Sequence, residues 1–403
     1  MTRGAFVLLI GLLAMAAAPQ ASTPRTASGD GQPADAEAAH SSDLAWLTAR
    51  GLEYTRQGQY ARAEPYFMRA LEIAERVHGA EHAETSRSLR NLAGLYQSMG
   101  QYAKAEPLYV RALAIVESIR GNEHWITGFL LKDLATLYES MRQYAKAEPL
   151  LLRALLIAEK THGAEHLETG TRLNNLAFLY SSMGQTAKAE PLFVRALAIA
   201  EKAQGAEHPN TVVSLANLAW IRREMGQYAT AEPLYVRALA IAEKFNGADH
   251  PNTLSILNNL AVLYRAMGQY AKAEPLYVRA LAIAEKAQGA EHPSTGTSLN
   301  NLAGLYESMG QYAKAEPLYV RALAIAKRVW GGEHSGTGSS LRNLAGLYVK
   351  MGEYAKAEAL YKGALSAENI LGVEHLEVGN RLRSLADWYM SVGEYAKAEP
   401  LYV

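Results

Sequence analysis

The sequence predicts an all-α fold, a solenoid of stacked antiparallel helix pairs, and two observations carry that expectation. The first is a repeat. Gly100-Gln101-Tyr102-Ala103-Lys104-Ala105-Glu106-Pro107-Leu108-Tyr109 returns as Gly268 to Tyr277 and as Gly310 to Tyr319, in a chain of 403 residues with a 42-residue period. Its tyrosine stands at Tyr60, Tyr102, Tyr144, Tyr228, Tyr270, Tyr312, Tyr354 and Tyr395, with Thr186 in the remaining place, so nine units begin. The second observation is the apolar spacing inside a unit. Leu299, Leu302, Ala303 and Tyr306 fall at i, i+3, i+4 and i+7, one stripe of a helix, and Ala315, Leu318, Tyr319, Ala322, Leu323 and Ile325 set out a second.

Taken in order, each unit opens with helix A, is broken by a Gly-Gln pair such as Gly310-Gln311, and continues with helix B. The alanines let two backbones approach and the tyrosines fill the gaps left beside them. Neither helix buries its stripe alone, so each pair has to stack on its neighbours into a one-dimensional superhelix. A proline recurs about five residues into helix B (Pro65, Pro107, Pro149, Pro191, Pro233, Pro275, Pro317 and Pro400, with Ala359 as the exception). An interior proline removes a helical hydrogen bond, so helix B is expected either to start late or to bend there.

Upstream of the array, Arg3 precedes an apolar run from Ala5 to Ala18 with small residues near its end, the layout of a secretory signal peptide. The run is shorter than the roughly 20 residues of a membrane-spanning helix, so no stable span is expected once residues 1–21 are removed. Residues 22–42, rich in Ala, Ser, Thr, Pro, Gly and Asp, read as a flexible linker. The solenoid is then expected over 43–403, about eight full units and a truncated ninth, in a protein exported to the periplasm or secreted. The unfinished ninth unit would leave an uncapped C-terminal edge open to self-association.

The chain is 49% hydrophobic and 20% charged, with 40 basic and 40 acidic residues. That balance gives no basic face for phosphates, so nucleic acid is not an expected partner. With no cysteine, disulfides, thiolate catalysis and cysteine-ligated metals are excluded.

The pattern Asn-Leu-Ala-x-x-Tyr, Gly-x-Tyr-x-x-Ala, Tyr-x-x-Ala-Leu is similar to the tetratricopeptide repeat consensus. The unit length and the connectors Gly205 to Pro209 and Gly289 to Pro293 resemble the kinesin-light-chain-like subclass. The resemblance implies a right-handed superhelix that binds proteins or extended peptides in a concave groove lined by helix A. It also implies relatives in which such arrays precede an effector such as a caspase-like protease, so a self-assembling array or the sensor half of a larger effector is the alternative reading.

Comparing the units with one another marks three positions on helix A. Just before the core leucine stand Asn91, Asp133, Asn175, Asn217, Asn259, Asn301, Asn343 and Ser384. An amide offers donors and an acceptor to the backbone of an extended peptide, and it can equally bridge neighbouring units. One residue earlier the series runs Arg90, Lys132, Asn174, Ala216, Asn258, Asn300, Arg342 and Arg383, basic at both ends. Those four basic residues would favour a peptide with acidic ends, or form a solvated face. Two residues after the leucine, Phe178, Trp220 and Val262 cluster among smaller residues, and if that position faces the groove they form a central apolar anchor pocket. Packing between units is the other use for such side chains.

Histidines recur at His82, His124, His166, His208, His250, His292, His334 and His375, each after an acidic residue. One His-Glu pair per unit supplies too few ligands for zinc, so the imidazole is expected to fix the connector while Pro209, Pro251 and Pro293 open helix A. The sequence contains no phosphate-binding loop, nucleophile elbow or zinc-protease helix, and an array commits every segment to packing. No enzyme activity, metal or cofactor is expected.

Overall fold

The computed structural model describes residues 33–332, 335–369, 383, 386–391 and 393–402. The signal segment 1–21 lies outside them. The A helices are α1 (Pro33–Arg56), α3 (Ala83–Ser98), α5 (Trp125–Ser140), α7 (Leu167–Ser182), α9 (Thr211–Glu224), α11 (Pro251–Ala266), α13 (Pro293–Ser308) and α15 (Ser335–Met351). Each pairs with the B helix that follows: α2 (Tyr60–His78), α4 (Tyr102–Arg120), α6 (Tyr144–His162), α8 (Thr186–Gln204), α10 (Tyr228–Asn246), α12 (Tyr270–Gln288), α14 (Tyr312–Trp330) and α16 (Tyr354–Asn369). Residues 386–391 are helical, and α17 (Tyr395–Ala398) runs into a 3₁₀ turn at Glu399–Leu401. The fold is an all-α solenoid of helix pairs. Its first helix begins at Pro33, inside the stretch read as linker. Ala34, Ala36, Ala38 and Ala39 supply the helix propensity, and proline is well placed at the first helical position.

Each A helix ends in the same hydrogen-bonded stop. In the second unit Gly100 N–H donates to the Gln97 carbonyl and Gln101 N–H to that of Tyr96, with Gly100 at φ 71°. This is the left-handed cap that glycine adopts without strain. In the third unit Arg142 takes that place at φ 56°, the one non-glycine residue at positive φ among the described residues.

The prolines neither delay helix B nor end it. Each of α2, α4, α6, α8, α10, α12 and α14 starts at the expected residue and runs on through its proline. Pro107 deprives the Ala103 carbonyl of its donor, but Ala103 and Pro107 both lie on the exposed face, where water supplies the missing bond.

The core is a column of closely approached backbones. Ala105, Ala112, Ala147, Ala189, Ala231 and Ala273 are fully buried, and Tyr109, Phe193, Tyr235 and Tyr277 fill the space between them. Units are joined by recurring polar rungs as well. The A-helix tyrosine donates to a glutamate of the preceding B helix, Tyr138 to Glu106 at 2.9 Å and Tyr306 to Glu274 at 2.8 Å, and a lysine sits over the ring. On the B helices, Arg153 pairs with Glu117 at 2.6 Å and donates to the Asn122 carbonyl at 2.9 Å. Arg195, Arg237, Arg279 and Arg321 repeat the pattern. Exposed pairs contribute little each, but their geometry fixes how one unit sits on the next.

The connectors are built alike. His82, His124, His166, His208, His250 and His292 each accept a backbone N–H through Nδ1, so the imidazole fixes the loop that leads into helix A. A buried threonine three residues on closes the loop, as Thr85 donates to the Gly79 carbonyl at 2.7 Å and Thr295 to that of Gly289 at 2.8 Å. Pro251 and Pro293 open their helices. Pro209 does not, because α9 begins two residues later, at Thr211.

Candidate functional site

Successive A helices touch one another (α7 with α9, α9 with α11, α11 with α13), whereas no two successive B helices come comparably close. A stack whose A helices crowd together curves toward them, so the A face is the inner one. The three singled-out positions lie on A helices, one of them directly before the core leucine that holds each helix to its partner.

The amide ladder is divided in its bonding. Asn217 Nδ2 donates to Asn174 Oδ1 at 3.5 Å, and Asn301 Nδ2 to Asn258 Oδ1 at 3.2 Å, each joining two units. Asn91, Asn175, Asn259 and Asn343 make no side-chain hydrogen bond among the described residues, and Asn300 Oδ1 is buried without a donor. Bridging and open amides therefore alternate along one row.

The basic ends differ from each other. Arg90 Nε and Lys132 Nζ both engage Asp133, the lysine at 2.7 Å, so much of their charge is already answered within the row. Arg342 donates to Ser339 Oγ at 3.1 Å, and Arg383 is exposed.

Phe178 and Trp220 are brought together, with ring centroids 5.5 Å apart across the boundary between the fourth and fifth units. Both rest on Phe193 of α8, which is fully buried, at 5.1 and 6.3 Å and near right angles. Edge-to-face packing of this kind is favourable. Both rings remain half-buried, so one edge packs and the other faces outward. Val262 stands one unit further on, packed with Trp220 against the next core cluster. In the seventh unit the same position is Gly304, and its space is taken by Arg265 Nη1, 2.7 Å from where a β-carbon would stand.

A second set of residues went unread in the sequence. Five residues after the core leucine, helix A faces the B-helix aromatic residue twelve positions on. Tyr109 donates to Gln97 Oε1 at 3.1 Å and Tyr319 to Glu307 Oε2 at 2.7 Å. In the fifth and sixth units the facing residues are Arg223 and Arg265, which have donors only, and the hydroxyls of Tyr235 and Tyr277 are buried with no partner. The third unit shows the reverse. Glu139 faces Leu151, no hydroxyl answers its carboxylate, and burial pushes its pKa up to about 7 against the opposing pull of Lys132. A fixed offset of twelve between polar residues on different helices was the available signal.

Among the described residues, no group of three His, Cys, Asp or Glu side chains is placed to hold a metal ion, and no helix is long and apolar enough to cross a membrane.

A tetratricopeptide repeat profile matches residues 43–118, 127–202, 171–244, 221–286, 252–328, 294–367 and 336–403. Among solved structures, the chain is 31% identical to a protein from Podosopora anserina assigned as a kinesin light chain with nearly identical TPR-like repeats. That match covers 52% of this chain and 99% of that one, with a TM-score of 0.45. It is 25% identical to BtubC (BKLC) from P. vanneervenii, over 54% of this chain and 87% of that one, with a TM-score of 0.47. A Rap protein complexed with competence and sporulation factor is similar in fold, at 17% identity over 90% of this chain and 96% of that one, with a TM-score of 0.52. No curated protein matches the chain.

Proposed function

Because the chain belongs to the tetratricopeptide repeat family, in its kinesin-light-chain-like subclass, we propose that it is a non-catalytic scaffold that holds an extended peptide along its A helices. The observation that carries this reading is the Phe178–Trp220 pair, half-exposed at the centre of the A face and flanked by the open amides of Asn175 and Asn259. Rigid aromatic rings supply apolar contact, and unpaired amides meet the backbone of an extended chain. The fold is compatible with such a role, since a Rap protein of similar fold is found complexed with competence and sporulation factor. On this reading the N-terminal apolar run exports the scaffold, and the partner is met outside the cytoplasm.

The test is affinity capture from exported extracts with the intact chain and with Trp220→Ala/Asn217→Ala. The intact chain is expected to recover a partner that the double variant loses. Equal recovery by both would remove the central A face from the assignment.

A further inference from the structure

In the second and seventh units Gln97 and Glu307 accept from the buried tyrosine of helix B; in the sixth, Arg265 stands in that place. The exchange leaves the Tyr277 hydroxyl buried with no partner, because a guanidinium only donates. The arginine is not answered by the fold either. Of the buried and half-buried arginines and lysines on the A helices, Arg265 alone makes no hydrogen bond or ion pair among the described residues. Each of the others has a carboxylate within reach or, for Arg342, the hydroxyl of Ser339. Half-burying a charge with no opposite one gives up solvation that nothing restores, so packing does not account for an arginine here.

The guanidinium reaches over the next unit. Its Nη1 lies 2.7 Å from where a β-carbon on Gly304 would stand, so a larger residue there would displace it. Gly304 holds in the seventh unit the position that Phe178, Trp220 and Val262 hold in the fourth to sixth. The apolar row therefore ends on a cation. None of the guanidinium nitrogens is sealed from solvent, whereas the hydroxyls of Tyr235 and Tyr277 are. Glu307 is engaged by Lys350 at 2.8 Å and by Tyr319 at 2.7 Å, and forms no pair with Arg265. Along α11, Asn259, Val262 and Arg265 follow at i, i+3 and i+6, so an open amide, an apolar contact and a charge succeed one another down one side of the helix.

We infer that Arg265 is the carboxylate-recognition point of the A face and receives one carboxylate of the bound peptide in the space over Gly304. The inference rests on the reading that a peptide lies along the A helices, and it names a group that this peptide carries. One unanswered positive charge matches a group of single charge, while a phosphate dianion would bring an excess charge into a half-buried place. The planar fork of the guanidinium also fits the two oxygens of a carboxylate. The position of that group follows from the array. Touching helices pack about 8–10 Å apart, which puts the Gly304 position, two units on, about 16–20 Å from that of Trp220. An extended chain advances about 3.3 Å per residue, so the carboxylate stands about five or six residues from the apolar residue that meets Trp220. It belongs to an aspartate or glutamate side chain or to the peptide's C-terminus.

Two libraries of synthetic random peptides, one with free and one with amidated C-termini, are selected on the immobilised full chain and read by mass spectrometry. A side-chain carboxylate should appear in both libraries as aspartate or glutamate enriched about five or six residues from an apolar residue. A terminal one should appear as enrichment from the free library alone. The selected peptides should bind Arg265→Gln and Gly304→Ala about 10- to 100-fold more weakly by fluorescence anisotropy. Selection on Arg265→Glu should exchange the acidic preference for lysine, a gain that a misfolded variant does not show. Peptides that lose affinity for Trp220→Ala yet bind the intact chain and the Arg265 and Gly304 variants alike would overturn the carboxylate assignment and leave the peptide reading standing. Selection of no peptide by the intact chain would bring down both.

Discussion

The second and seventh units and the third to sixth are built on one plan, yet the first group obeys it and the second departs from it. In the second and seventh, the buried tyrosine finds its acceptor (Gln97, Glu307), the cap is a glycine, and the position two residues after the core leucine is a glycine too. Between them Glu139 lacks a donor, Tyr235 and Tyr277 lack acceptors, Arg142 strains the cap, and Phe178 and Trp220 stand where small residues would do. In the fifth unit even the rung changes hands: Arg222 replaces the tyrosine and pairs with Glu190 at 3.0 Å, and Thr230 replaces the lysine that elsewhere covers the ring. Departures of this kind concentrate in the third to sixth units, although the seventh also keeps Asn300 Oδ1 buried without a donor. Such concentration is what a site leaves behind, since local rules are broken where function demands it.

Seven substitutions probe this contrast. Trp220→Ala should cost about 2–3 kcal/mol in urea unfolding, less than a fully buried ring because one edge is wet, while Val262→Ala costs about 1 kcal/mol. A smaller loss at Trp220 would mean that its packing on Phe193 matters little. Glu139→Gln tests the unanswered carboxylate. The folded chain binds this proton up to about pH 7, well above the usual carboxylate value of ~4.3 that applies unfolded. With both states protonated at pH 4 there is no penalty; it grows as pH rises and is complete above 7. The variant should therefore be more stable by about 1–2 kcal/mol at pH 8, a figure lowered for partial exposure, and unchanged at pH 4. A gain that is equal at both values would exclude ionisation as the cause.

Tyr319→Phe should cost about 1 kcal/mol because it breaks a made bond, whereas Tyr235→Phe and Tyr277→Phe should cost nothing or stabilise by up to about 1 kcal/mol, an orphan buried hydroxyl having been removed. Equal losses at all three would show that the central hydroxyls have partners after all. Arg142→Gly should raise stability by about 0.5–1 kcal/mol by relieving a left-handed backbone, visible as a small rise in Tm.

The repeat, the helix pairs and their boundaries were legible because they rest on periodicity, which one chain displays nine times over. The connector histidines were legible for the same reason, though not that Nδ1 is the acceptor. The prolines misled, since the usual cost of an interior proline assumes a buried carbonyl, and that of Ala103 is wet. Within the A face the sequence could mark Phe178, Trp220 and the asparagines but not divide bridging from open amides, because whether Asn217 reaches Asn174 depends on how two units are rotated together. The twelve-residue pairing of Tyr319 with Glu307 requires knowing which helix faces overlap. Periodicity within one helix does not contain that information.

The arginine rungs on the B helices run one way only, each unit reaching back to hold a glutamate and a loop carbonyl of the unit before it. The second to seventh modules thus present the same plug behind, and each finds the same socket on the module before it. Duplication or loss of a whole module by unequal crossing-over would rejoin matching halves, so the array can change length across generations without having to invent a new joint.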